Sequence, residues 1–351
     1  MTRASPLTEG EAAQLLAPLA DAALVLLAVS GGADSLALLV VAARWAASSG
    51  PRLAVATVDH GLRESSAAEA AHVAAVAAGF ALPHVTLRWE GAKPRRGMEA
   101  AARTARYGLL EAHARAIGAS HLVTAHTRDD QAETVLLRLA AGSGPAGLAA
   151  MRPLVRRGGL IHARPLLAIP KAQLVATLRQ AGIGWCEDDT NRDPALARGR
   201  LRAAHAALVR EGLTDARLAR LAARSARAED ALAAAEAAAW REVVLSSSSF
   251  VEIDLPRLLL QPAELRLRVI GRAIAALGQG EVRLARLEAL VGALEEAAAR
   301  GGGAVRTLAG ARVAIEGEHL MVVAAPPRRE SAAPHPRRAR VTYAEARLGN
   351  H

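Results

Sequence analysis

Cysteine is nearly absent: the 351 residues contain one, Cys186. A single thiol excludes an internal disulfide framework and any Cys-x-x-Cys metal or redox pair. Lysine is almost missing as well. Only Lys93 and Lys171 occur, so nearly all the positive charge is arginine. Aromatic residues make up 2% of the chain. No uninterrupted apolar stretch reads as a membrane helix, and no leader-type segment precedes the first apolar run. The expectation is a soluble, cytoplasmic protein with no membrane partner.

Alanine, leucine and arginine fill the space that is left. Hydrophobic residues reach 52%, and leucines at helical spacing among the alanines predict a mostly helical protein. The length allows two or three domains. The net charge is +10, with a sequence pI of about 11.1. Such a balance points to an anionic partner, most simply nucleic acid, and arginine forks suit phosphate contacts. A GC-rich genome would explain arginine in place of lysine, but not the sign of the charge.

The chain is organised around Val25-Leu26-Leu27-Ala28-Val29-Ser30-Gly31-Gly32-Ala33-Asp34-Ser35. An apolar strand runs into a glycine turn, and a helix predicted over 35–48 follows. Backbone N–H groups and an open helix N-terminus then converge on one anion site. No Gly-Lys-Ser/Thr closes the loop, so it is not a Walker A sequence. It offers the hydroxyls of Ser30 and Ser35 and the carboxylate of Asp34. An acid beside phosphates is repulsive unless a cation lies between, which points to Mg²⁺ with a nucleotide. The plainer alternative is an ordinary βα turn with a first-turn helix acid.

Further strands are predicted at 53–58, ending at Asp59-His60-Gly61-Leu62-Arg63, at 84–87, and at 121–125, ending at His126. Helices are predicted at 7–20, 65–78, 98–117 and 128–140. This alternation predicts an α/β, doubly wound, mainly parallel sheet with its site at the C-terminal strand edge. The loop after strand one, Asp59 and His126 all fall on that edge. Beyond Arg164-Pro165-Leu166-Leu167 the pattern weakens, with a helix from Pro170 and a turn-rich stretch, Asp188 to Pro194. Residues 206–300 read as almost wholly helical, and 305–323 as two or three short strands. The reading gives three parts: a catalytic domain over 1–205, a mostly helical domain over 206–325, and an Arg/Pro-rich tail over 326–351. The tail is expected to be mobile or to pack poorly by itself.

Two helical constellations carry candidate chemistry. Glu99, Arg103 and Arg106 share one face; there an arginine meets a phosphate or a carboxylate, or the face is only an exposed ion pair. His126, Asp129 or Asp130, and Glu133 gather at a helix start. Capping and dipole matching explain part of this, but three acids exceed what capping needs. A grip on an amine or on a second Mg²⁺ is the functional alternative. The spacing is not His-Glu-x-x-His, which argues against zinc.

Ser30-Gly31-Gly32-Ala33-Asp34-Ser35 resembles the PP-loop of the N-type ATP pyrophosphatases, and the ordered set of motifs resembles one family among them, the tRNA(Ile)-lysidine synthases. The set comprises Val58-Asp59-His60-Gly61-Leu62-Arg63, Glu99 to Arg103 with Arg106-Tyr107, Thr124-Ala125-His126, Asp129 to Thr134, and the glycine-rich turn from Gly142 to Met151. It covers roughly residues 24–202. The resemblance implies a carbon–nitrogen ligase that uses ATP, Mg²⁺ and free L-lysine on the first anticodon cytidine of a CAU-bearing tRNA(Ile), and releases AMP and pyrophosphate. It implies that Ser30, Gly31, Gly32, Ala33, Asp34, Ser35 and Asp59 bind ATP, with Asp34 on Mg²⁺. It implies that Asp130 and Glu133 receive the lysine amine and that His126 assists near the base or nucleotide. Arg103 or Arg106 would stabilise the α-phosphate or guide the base, and Arg198, with Arg202, would bind a phosphate. The region 206–300 resembles the family's tRNA-binding extension in length and composition only. The sequence departs from the family at Gly199, where asparagine is usual, and at Thr127, where many relatives have a second histidine. The oligomeric state stays open, a dimer among the options. The closest rival is a PP-loop tRNA thiolase, which a lone Cys186 disfavours. An amide-forming synthetase of small metabolites is the second rival, and an RNA-binding module with a relic nucleotide fold the third.

Overall fold

The computed structural model describes residues 4–61, 66–91, 93–94, 97–186 and 197–326, without the side chains of Ser49, Glu99, Ala197 and Arg198. Arg63, the stretch from Asp188 to Pro194, and the tail from residue 327 lie outside the described residues. The chain forms two compact units, Met1–Ala233 and Ala234–His351. The division lies further along than the expected 205/206 boundary and falls inside one long helix.

The first unit begins with α1 (Glu9–Leu16), capped by a Thr8/Glu11 capping box. Then follow β1 (Leu24–Ala28), α2 (Ala33–Ser49), β2 (Arg52–Asp59), α3 (Ser66–Gly79), β3 (His84–Arg88), α4 (Met98–Ala116), β4 (His121–Thr124), α5 (Arg128–Ala140), the short α6 (Pro145–Leu148), β5 (Leu154–Arg157), β6 (Leu160–Ala163), α7 (Lys171–Ala181) and α8 (Ala197–Arg210). The sheet order is β3-β2-β1-β4-β6-β5. All neighbours pair in parallel except the β5–β6 hairpin. That edge hairpin is a correction to the sequence reading, which has no strands there. Its signal is Gly158-Gly159, two adjacent glycines with φ of +52° and +84°, the left-handed pair that a two-residue hairpin turn requires.

β1 is buried on both faces, which is why it reads as an unbroken apolar run. Val25 and Leu27 pack with Leu36, Leu39 and Val40 of α2 and with Leu174 and Leu178 of α7. Leu26 packs the other way, with Leu110 and Ala114 of α4 and Leu122 of β4. The chain runs outward from β1 through β2 to β3, then returns to place β4 on the opposite side. A crevice therefore opens between the C-terminal ends of β1 and β4, where such sheets bind their ligands.

α9 (Asp215–Val243) crosses into the second unit, which adds β7 (Val244–Ser247), β8 (Phe250–Asp254), α10 (Leu255–Leu260), α11 (Ala263–Leu277), α12 (Leu284–Ala299), β9 (Val305–Leu308), β10 (Ala311–Glu316) and β11 (His319–Ala324). Its antiparallel sheet has the order β7-β8-β11-β10-β9. β7 and β8 correct the expectation of an almost wholly helical 206–300. Phe250-Val251-Glu252-Ile253-Asp254 alternates buried and half-buried positions, a period-two pattern beside an uninformative serine run. Ile270, Ile274, Leu287, Leu290 and Leu294 of α11 and α12 close the core with Val251, Ile253, Val313 and Val322 of the sheet.

Candidate active site

The turn after β1 is built by its own serines. The Val29 N–H donates to the Ala56 carbonyl at 2.9 Å, holding the strand end in the sheet. Gly31 then takes φ +90°, a region that a side chain rarely adopts. Ser35 is buried in the first turn of α2. Its hydroxyl donates to the Gly32 carbonyl at 2.9 Å and accepts the Ser30 N–H at 3.1 Å. The Ser30 and Ser35 hydroxyl oxygens lie 3.2 Å apart. α2 starts at Ala33, two residues earlier than the sequence suggests, and its N-cap, Gly32, supplies no side-chain cap. The first N–H groups of a seventeen-residue helix are thus left for an anion. The Cys186 N–H donates to the Gly31 carbonyl at 3.0 Å, so the one cysteine braces this turn through its backbone.

Asp34 lies in that first turn with its side chain 21% exposed, and the Lys171 Nζ stands 3.3 Å from its Oδ2. Its other oxygen, Oδ1, is buried with no hydrogen-bond partner among the described residues. Burial pushes the Asp34 carboxyl up to about 6. Lys171 pulls it back, and Asp130 and Asp129 push it further up. Such a carboxylate is short of positive charge. Mg²⁺ fits here on the strength of the orphaned oxygen. Among the described residues no group of three or more His, Cys, Asp or Glu forms a ready cage, which suits a cation held by phosphates and one carboxylate.

The three acids of α5 do three jobs. Thr127 and Asp130 form a capping box, in which Asp130 Oδ2 accepts the Thr127 N–H at 2.8 Å and its hydroxyl at 2.9 Å. Asp129 Oδ2 accepts the Lys171 N–H at 3.0 Å, tying the start of α7 to the start of α5. Glu133 is held in a two-point pair by Arg202 of α8. Arg202 also senses Asp130 and Asp34, so these four groups and Lys171 share one electrostatic neighbourhood. The sequence reading assigned Arg202 to a phosphate; here it stands on the carboxylate assigned to the lysine amine. Lys171 was missed altogether. The only signal was its rarity, one of two lysines in the chain.

The remaining candidates lie further along the same edge. Asp59 Oδ1 accepts from the Gly61 N–H at 2.8 Å and the Ser66 hydroxyl at 2.7 Å. These bonds hold its carboxyl below the usual range, Ser66 contributing most. In this state Asp59 therefore shapes the turn after β2. The Arg106 Nε lies 3.3 Å from His60 Nε2, and the Arg103 guanidinium lies 5.1 Å from the centre of the Tyr107 ring. His126 Nδ1 is 2.8 Å from the Thr124 hydroxyl, and the same oxygen is 2.8 Å from His162 Nε2. Arg198 lies in α8 by its backbone; its side chain is outside the described residues.

Residues 6–207 match the family model described as a PP-loop domain. The chain is 48% identical over 347 residues to the tRNA(Ile)-lysidine synthase of Bradyrhizobium diazoefficiens, covering 93% of this chain and 96% of the relative. It is 49% identical over 332 residues to that of Rhodopseudomonas palustris, covering 91% and 95%. It is 48% identical over 340 residues to that of Methylobacterium sp. strain 4-46, covering 93% and 98%. Among solved structures, the U34-tRNA thiolase NcsA from Methanococcus maripaludis with its [4Fe-4S] cluster superposes with a TM-score of 0.53 at 15% identity, covering 62% of this chain and 77% of the thiolase. That likeness is one of fold. No helix among the described residues is long and apolar enough to cross a membrane.

Proposed function

Because the chain belongs to the tRNA(Ile)-lysidine synthase family of PP-loop enzymes, we propose that its site joins the ε-amine of L-lysine to C2 of the anticodon wobble cytidine of a CAU-bearing tRNA(Ile). The cytidine C2 oxygen attacks the α-phosphorus of ATP and pyrophosphate leaves. The lysine amine then attacks C2, and the oxygen departs with AMP. The observation that carries the reading is the orphaned Asp34 Oδ1 beside the uncapped start of α2, a cation position next to an anion position.

The roles are assigned as the family resemblance implies, and the geometry of the Ser30–Ser35 turn and of Asp34 supports the phosphate and cation positions. The turn from Ser30 to Ser35 and the start of α2 hold the β- and γ-phosphates, with Lys171 beside Asp34 as a further positive group. Mg²⁺, when bound at Asp34, neutralises phosphate charge and makes pyrophosphate a better leaving group. Asp130 and Glu133 receive the lysine ammonium, for which Arg202 has to share or yield Glu133. His126 serves the base or nucleotide, Arg103 or Arg106 serves the α-phosphate or the base, and Arg198 serves a phosphate. Much of the rate comes from holding three reactants in line.

Residues 206–325 are the tRNA-binding domain in this reading, on their likeness in length and composition to the family's tRNA-binding extension. Affinity for tRNA is expected to fall steeply with salt, since each neutralised phosphate contributes a slope of about −0.7 to −0.9 in log K against log salt. A salt-independent affinity would favour a small-metabolite synthetase. The thiolase reading needs sulfur chemistry, for which Cys186 is the only thiol. Cys186→Ala is therefore expected to keep near wild-type activity. The decisive test is incubation with total tRNA, ATP and labelled lysine, followed by nucleoside analysis. Label in a lysidine nucleoside is expected; AMP and pyrophosphate release with no lysine incorporated would overturn the reading.

A further inference from the structure

Three buried polar side chains behind His126 form a line that ends at its ring. Arg164 is 8% exposed, His162 3% and Thr124 8%. The Arg164 Nη2 lies 3.0 Å from His162 Nδ1, His162 Nε2 lies 2.8 Å from Thr124 Oγ1, and that oxygen lies 2.8 Å from His126 Nδ1. The second guanidinium nitrogen of Arg164 donates to the Arg152 carbonyl at 2.9 Å, and the Arg164 N–H to the Pro153 carbonyl at 2.8 Å. These bonds fix the side chain from behind.

The direction of this line is set at its closed end. A guanidinium only donates, so His162 Nδ1 accepts. A neutral His162 then carries its proton on Nε2 and donates to Thr124. Burial first, and then Arg164, His126, Arg157 and Arg103, hold His162 down to about 3. It stays neutral at working pH, with the Tyr107 ring packed 5.4 Å from its own. The Thr124 hydroxyl has one proton, and the two imidazoles are its partners among the described residues. His162 already donates to it, so the hydroxyl proton goes to His126 Nδ1. The reverse arrangement, with a proton on His126 Nδ1, would strand the buried hydroxyl proton without an acceptor.

We infer that Arg164, His162 and Thr124 are positioning residues for His126: they pin its Nδ1 as an acceptor and so keep its proton on Nε2. His126 then offers the reaction an N–H rather than a lone pair. Its target is an oxygen acceptor, a phosphate or the C2 carbonyl of the base, and not the proton of the lysine ammonium. The inference rests on the reading that His126 serves the reaction.

Long-range proton–nitrogen spectra of the ¹⁵N-labelled full-length protein distinguish the two neutral tautomers. His126 and His162 are both expected as Nε2–H, with His162 still neutral at about pH 5, below the ordinary histidine range. A His126 protonated on Nδ1, or a His162 charged at that pH, would overturn the inference. In the labelled-lysine incorporation assay, Thr124→Val removes the hydroxyl at nearly constant volume. It is expected to lower kcat about 10- to 100-fold with the KM values for ATP and lysine little changed, and Thr124→Ser to restore most of kcat. An undiminished kcat in Thr124→Val would also overturn it. A fully active His126→Ala protein would instead sink the role of His126 itself and leave the wild-type spectrum as it was, so the two failures are distinct.

Discussion

Replacing Asp34 by asparagine is expected to abolish pyrophosphate release and, in the same protein, to raise the stability of the ligand-free chain at neutral pH. The first effect follows from losing the charge that holds a cation against the phosphates. Several kcal/mol of transition-state stabilisation correspond to about a thousandfold or more in rate. The second follows from the strain of the site. Asp34 titrates at about 6 in the folded protein against 3.8 for the free side chain. Between these values the folded state holds the proton more tightly than the unfolded state, so stability falls as pH rises through that window. Above it the penalty is complete, about 3 kcal/mol at 1.36 kcal/mol per unit. Asparagine removes that penalty. Its partner Lys171 is 54% exposed at the side chain and loses little when left alone. Urea unfolding at about pH 7.5 and about pH 4 is the check: the variant gains at the higher value and matches wild type at the lower. An Asp34→Asn protein with full activity would remove the loop assignment, and one with unchanged stability at neutral pH would show that the carboxylate is not strained.

Replacing Glu133 by alanine is expected to raise the KM for lysine far more than the KM for ATP. A charge-assisted hydrogen bond to an ammonium contributes about 1.5–3 kcal/mol, or roughly 10- to 150-fold in affinity. The pair with Arg202 offers a competing, purely structural role. In that case Glu133→Ala and Arg202→Ala would lower the unfolding midpoint by similar amounts, and the lysine KM would stay near wild type in both. Steady-state kinetics with lysine and ATP varied in turn, set beside the unfolding midpoints, decides between the roles.

Much of the local structure around the candidate site was legible because it is set by neighbouring residues. Val25 to Ala28, the glycine pair and the helix after it announce a strand, a turn and an open helix start from side-chain periodicity and backbone freedom alone. Thr127 and Asp130 lie three residues apart, so their cap is visible in the text, as is the helix they begin. Asp59 and His126 were placed on the site edge for the same reason: each directly follows an apolar strand. The two hairpins were less legible. Gly158-Gly159 carried a recognisable turn signal between short, arginine-flanked strands, and the alternation of Phe250 to Asp254 was masked by the serines before it.

Short motifs thus carried the resemblance to the PP-loop class, and local pattern located the strand edge on which most of the candidate residues lie. Folding alone decided which of those residues meet. Lys171 reaches Asp34 and Asp129 across the crevice, Arg202 closes on Glu133 from sixty-nine residues away, and His162 meets Thr124 across thirty-eight. Periodicity reports which face a side chain occupies on its own element. Ion pairing and proton placement depend on distance through space, and that distance exists only once β4 and β6 lie side by side and α5, α7 and α8 converge at their ends.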